Sequence, residues 1–158
     1  MNTAQLTTCL NRDACIRPIF AGVYAINRLP FYIDKRPSLY VINSDFAENV
    51  GQHWFCVYFD RDCRMTCEFW DSFGRHPSCY HKYLTEFLDR NCSHLLYNDR
   101  VLQSDTTSVC GHYVLYFAYF KARHVPMEGI LTGDHFGLDT GLNDLRVYNF
   151  SRKYFSLP

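Results

Sequence analysis

At 158 residues, 47% hydrophobic and 17% aromatic, the chain carries enough apolar material for one sizeable core, which excludes a largely disordered polymer. Sixteen basic and sixteen acidic residues cancel, so charge gives no reason to expect nucleic acid as a partner. No apolar run reaches membrane-spanning length and the polar start MNTAQLTTCLNRDACIRP lacks a signal-peptide core. The expectation is a single soluble, intracellular domain over residues 1–158.

In chain order, residues 1–17 hold a short helix or a loose arm, and RPIFAGVYAINRLP, with Pro18 and Pro30, reads as loop around a short extended piece. SLYVIN (38–43) has strand composition, and SDFAEN after it is a loop or helical turn. HWFCVYFD (53–60) is a continuous apolar run of strand length, as expected of a strand buried on both faces. RDCR turns it into MTCEFWD, giving a hairpin. From Pro77 the period changes: Tyr80, Tyr83, Leu84, Phe87 and Leu88 recur every three or four residues, predicting an amphipathic helix with Ser78 as cap. HLLYNDRVLQ supplies a further strand. Residues 110–122 are apolar nearly all round and predict a central buried helix, which stops at KARHVP. GLNDLRVYNFSRKYF has weaker helical periodicity. The fold class is α+β.

Eight cysteines invite a disulfide framework, but without a secretion signal reduced thiols are the expectation. Structural zinc fits poorly: Cys63 and Cys67 on one strand would lie about 13 Å apart, and there is no C-x-x-C pair, so no metal is expected.

Cys110 and Gly111 stand where the polar run SDTTSV meets the buried helix. Unpaired N–H groups in the first turn of a helix stabilise a thiolate, and the thiolate is the nucleophilic form of cysteine. Gly111 leaves room for a substrate backbone beside the sulfur. Taken alone, the residue reads more readily as an ordinary buried thiol. A cysteine nucleophile needs an imidazole, and of the seven histidines His53 opens a buried strand, a rigid platform at the edge of a core. His112, two residues from Cys110 on a helix, points away. A turn at 60–64 sets position 53 roughly opposite 71, so the hairpin brings Asp71 beside His53 as acceptor for its second N–H. Asp71 as a cap of the turn DSFG is the alternative. Gln103, seven residues before Cys110, can donate its amide to an oxyanion together with the Cys110 N–H.

GQHW, FWDSFG, LQ and SVCG, in that order and spacing, resemble the adenovirus protease (adenain) family, which shares a broad cysteine-peptidase clan with the ubiquitin-like-protein proteases. GVYAINRLP and YVIN are similar as well, and the resemblance covers about residues 20–130. It implies a papain-like fold with a mixed or antiparallel central sheet packed by helices and the nucleophile at the start of a buried helix. It also implies an endopeptidase cutting at Gly-Gly or Gly-X-Gly sites, with Cys110 nucleophile, His53 base and acid, Asp71 orienter, Gln103 oxyanion donor, and Trp54 shaping a narrow groove. The implied task is processing of structural precursors during virus assembly, in the host nucleus or virion, with Gly-containing polypeptides as partners. Family members also use an activating viral peptide, and the resemblance aligns Cys92 with the cysteine that binds it. Three features depart from the adenovirus enzymes: aspartate stands where they have glutamate, the chain is shorter, and it is neutral where they are basic and use DNA, so a DNA cofactor is not carried over. The rival readings are a protease of ubiquitin-like modifiers and an inactive binding module that keeps the fold.

Overall fold

The computed structural model describes residues 1–62 and 64–157. A five-stranded mixed sheet in the order β1-β2-β3-β4-β5 is built from β1 (Phe20–Ala25), β2 (Ser38–Asn43), β3 (Trp54–Phe59), β4 (Thr66–Trp70) and β5 (His94–Tyr97). The outer pairs, β1 with β2 and β4 with β5, are parallel, and the two inner pairs are antiparallel. The helices are α1 (Thr3–Arg12), α2 (Lys82–Asn91), α3 (Cys110–Lys121), α4 (Met127–Thr132) and α5 (Thr140–Phe155). The α+β class expected from the sequence is the one found, with helices packed on a mixed sheet.

The side-chain alternation of a strand explains how the sheet divides its helices. Along β3, Cys56 and Tyr58 join the core shared with Leu39, Val41 and Trp70, against α1, α3 and α5. Phe55, Val57 and Phe59 join the opposite core, with Tyr40, Ile42 and Phe69, against α2. A strand with both faces covered must read as a continuous apolar run, and HWFCVYFD does. Since α3 lies under the sheet and against α1, α4 and α5, almost its whole circumference is buried.

Three local expectations change. The cap of α2 is His81, whose ring nitrogen accepts from the Tyr83 N–H, while Pro77–Cys79 forms a separate single 3-10 turn. Ser78 instead bonds the His76 ring. The arm at the start of the chain is a helix, locked by reciprocal bonds between Asn2 and Gln5. GLNDLRVYNFSRKYF belongs to a full helix of 16 residues capped by Asp139. Its apolar stripe is blurred because Leu142 and Leu145 face solvent.

The thiols also differ from expectation at one pair. Cys67 on β4 and Cys92, just past the end of α2, form a disulfide, their α-carbons 5.8 Å apart and so within bridging range. Cys92, which the resemblance aligns with the cysteine that binds an activating peptide, is paired within the chain here. Cys63, the other half of the pair weighed as zinc ligands, lies outside the described residues. Among the described residues no three His, Cys, Asp or Glu side chains gather as a metal site, and no helix is long and apolar enough to cross a membrane.

Candidate active site

The β3–β4 ladder pairs Cys56 with Trp70 and Val57 with Phe69. One step further sets Phe55 across from Asp71, so His53 and Asp71 meet on the diagonal of one face instead of directly opposite. The turn is effectively centred one residue later than the sequence reading placed it. A diagonal neighbour is still within reach of an imidazole. His53 Nε2 lies 2.6 Å from Asp71 Oδ1, both residues buried. With Nε2 engaged, Nδ1 is the nitrogen left for the other side of the ring. Cys110, the first residue of α3, lies close enough to the imidazole for each group to shift the pKa of the other.

Asp71 is held by more than the histidine. Oδ1 also accepts the Phe73 N–H at 3.0 Å, and Oδ2 accepts the Tyr80 hydroxyl at 2.7 Å and the Arg75 N–H at 3.1 Å. Its main chain is clamped by Asn98, whose Oδ1 accepts the Asp71 N–H at 2.8 Å and whose Nδ2 donates to the Asp71 carbonyl at 2.6 Å. The alternative, Asp71 as a cap of DSFG, is therefore also realised: one carboxylate caps the turn and holds the imidazole. Phe73 covers the imidazole with ring centres 4.7 Å apart.

These contacts set the charges. Burial alone pulls the His53 pKa down, but the Asp71 and Cys110 hydrogen bonds and charges outweigh it and push the group up to about 9. Burial raises Cys110, and the His53 bond and charge, with the Trp54 and Gly111 backbone N–H groups, more than reverse that and hold it below an ordinary thiol. Asp71 follows the same logic: burial raises it, the His53 bond and charge, Tyr80 and the Phe73 N–H lower it further, and the net shift is downward. Among the described residues, the two other buried free thiols go the opposite way. Cys9 and Cys56 are both raised, above all by burial. Cys110 combines a lowered thiol with a proton-holding imidazole, the arrangement of a thiolate–imidazolium nucleophile.

Gln103 is buried and hydrogen-bonds neither the His53 nor the Asp71 side chain. Ser72, next to Asp71, donates to its Oε1 at 2.7 Å, and its Nε2 donates to the Thr107 carbonyl at 2.9 Å. The amide is thus oriented with its donor end toward the loop that leads into Cys110. Trp54 walls a groove of about 470 Å³ that contains Cys110 and runs between the start of α1, β1 and the loop after β2. Gly111 is placed differently from expectation. The space beside its α-carbon is filled by Met1, whose Cβ is 3.0 Å from where a Gly111 Cβ would stand. His112 points away from the groove into a second, smaller cavity, and burial, with the Met1 amino group, lowers its pKa to about 4. Sequence reasoning missed Tyr80, Asn98 and Met1. A turn-facing Asn 27 residues after Asp71 carries no periodic signal, and neither does a tyrosine at the start of an amphipathic run.

No family model and no curated protein matches this chain. Among solved structures, the crystal structure of the selenomethionine-labelled ASFV pS273R protease is similar, with a TM-score of 0.49 and 21% identity. The match covers 78% of this chain and 47% of that one, so this chain spans about half the length of the solved protein.

Proposed function

We propose that the chain is a cysteine endopeptidase. The observation that carries the reading is the buried relay from Cys110 through His53 to Asp71, in which the thiol is lowered and the imidazole raised. Cys110 attacks the scissile carbonyl as thiolate. The Gln103 amide and the Cys110 N–H hold the oxyanion, His53 gives its proton to the leaving amine, and the Cys110 thioester remains. His53 then takes a proton from water, whose attack frees the acid and restores the thiolate. Glycine-containing sites are the proposed substrates on the motif resemblance, and Trp54 and Met1, which line the groove with Cys110, support that reading. Processing of viral or virus-derived structural precursors follows from the motif resemblance.

The test is the alkylation rate of every cysteine at about pH 6, mapped by mass spectrometry, alongside cleavage of Gly-Gly and Gly-X-Gly peptides. An ordinary thiol, with pKa near 8.5, is slow at that pH. Cys110 should react far faster than Cys9, Cys15, Cys56 and Cys79, and lose that advantage in His53→Ala. Both Cys110→Ala and His53→Ala should lower peptide cleavage by about 10² to 10⁴-fold or more. Undiminished cleavage in Cys110→Ala ends the proposal. Fusions to folded ubiquitin-like modifiers, run in the same assay, separate a precursor protease from a modifier protease.

A further inference from the structure

We infer that Met1 is the specificity-determining wall of the candidate site, closing the groove beside Cys110 so that the substrate residue lying there must lack a side chain. The inference rests on the peptidase reading for its substrate and on geometry for its wall.

Three independent contacts fix Met1. Its carbonyl accepts the Trp54 indole N–H at 3.0 Å. Its side chain lies on Gly111, with Cβ and Sδ 3.0 and 3.2 Å from the position a β-carbon would take there. The next residue is tied down by the two Asn2–Gln5 bonds, each 2.9 Å, that start α1. Gly111 is therefore small to admit Met1, and the substrate meets Met1 where it would otherwise meet the glycine. Trp54, expected to shape the groove directly, does so in part by holding this carbonyl.

Met1 also has a far side. It lines both the groove that holds Cys110 and a second cavity of about 140 Å³ whose walls include His112 and Tyr148. His112 Nδ1 is buried there without a partner among the described residues. The Met1 side chain is thus a partition. Without it the two spaces join beside the nucleophile, and a substrate side chain gains both volume and a polar atom to meet.

The experiment compares wild type with Met1→Gly and Met1→Leu, each released from an N-terminal fusion by an unrelated protease so that residue 1 can be varied. Peptides carrying Gly, Ala or Ser at each residue flanking the scissile bond report substrate selectivity. Alkylation of Cys110 by iodoacetamide and by 2-iodo-N-phenylacetamide reports groove width with no substrate at all. In Met1→Gly the preference for Gly over Ala, and for the small reagent over the bulky one, should each fall by about tenfold, the scale of a methylene-sized discrimination. Met1→Leu, which keeps the bulk, should hold both preferences near wild type. If Met1→Gly melts like wild type, cleaves glycine peptides and keeps both preferences, the wall is wrong and the peptidase reading stands. If no protein cleaves any peptide but the alkylation preference still collapses in Met1→Gly, the wall stands and the peptidase reading falls. Should Met1→Gly lose stability, Met1→Ala is read by the same two ratios.

Discussion

Two buried charge pairs join β4 or its end to a neighbour, and they are built differently. Just past the end of β4, Asp71 receives His53, Tyr80 and two main-chain N–H groups, and its pKa falls despite burial. At the end of α3, Lys121 Nζ lies 2.8 Å from Glu68 Oε2 and 4.6 Å from the centre of the Tyr58 ring. Glu68 has that one close cation, and burial still holds its pKa above the ordinary value. The difference teaches what marks a site. A carboxylate ringed by donors before any substrate arrives is committed to staying charged and to keeping its imidazole protonated. A carboxylate with a single cation balances burial only partly, which suits a structural tie.

The largest effect that sharpens this contrast is on stability. Lys121→Met should cost about 3–5 kcal/mol, because it strands Glu68 in the core. The loss should shrink as pH falls, since Glu68 can then take a proton. The double variant Glu68→Gln/Lys121→Met should recover most of it in urea unfolding, and Cys110 alkylation should be unchanged in all of them. A large change in Cys110 reactivity there would erase the distinction between the two pairs.

Next comes Asp71→Asn, which keeps the shape and removes the charge. Peptide cleavage and Cys110 alkylation near pH 6 should drop by about 10²-fold, since the imidazolium loses its counter-charge. Smaller again is Tyr80→Phe, which removes one of the donors to Asp71. One such bond is worth about 1 kcal/mol, so cleavage should fall by about fivefold with the pH profile shifted and the melting point little changed.

The pH dependence of stability separates the members of the relay. His53 is raised from 6.5 to about 9, so it holds its proton more tightly folded than unfolded. Its contribution is complete below about pH 6.5 and is lost as pH rises through about 9. Asp71 is lowered, so its contribution is present above the ordinary carboxylate range and is lost as pH falls through its folded value. Melting curves of His53→Ala across pH should lack the alkaline loss and keep the behaviour due to Glu68.

Much of this was legible in the residues themselves. β2 coincides with SLYVIN and α3 begins at Cys110, because a two-sided apolar run and a polar-to-apolar boundary are local signals. His53 and Asp71 could be brought together from hairpin arithmetic, with the register off by the step that separates facing from diagonal neighbours. What stayed hidden depends on distant chain segments meeting. Asn98 clamps Asp71 from the end of the neighbouring strand β5, Cys67 finds Cys92 only once α2 has returned to β4, and Met1 reaches Gly111 only when α1 has docked. The helix α4 was missed because MEGILT is short and holds a glycine in its middle.

The diagonal meeting of His53 and Asp71 makes the exposed turn between β3 and β4 a ruler for a site at the hairpin's other end. Lengthening or shortening the chain there by one residue exchanges the two faces of one strand against its partner, and Asp71 would swing away from His53 and from the face it shares with Phe55 and Phe69. A change of two would restore the faces but slide the carboxylate past its diagonal. The length of this turn is therefore set by the site at the far end of the hairpin, and indels in it should behave like active-site mutations.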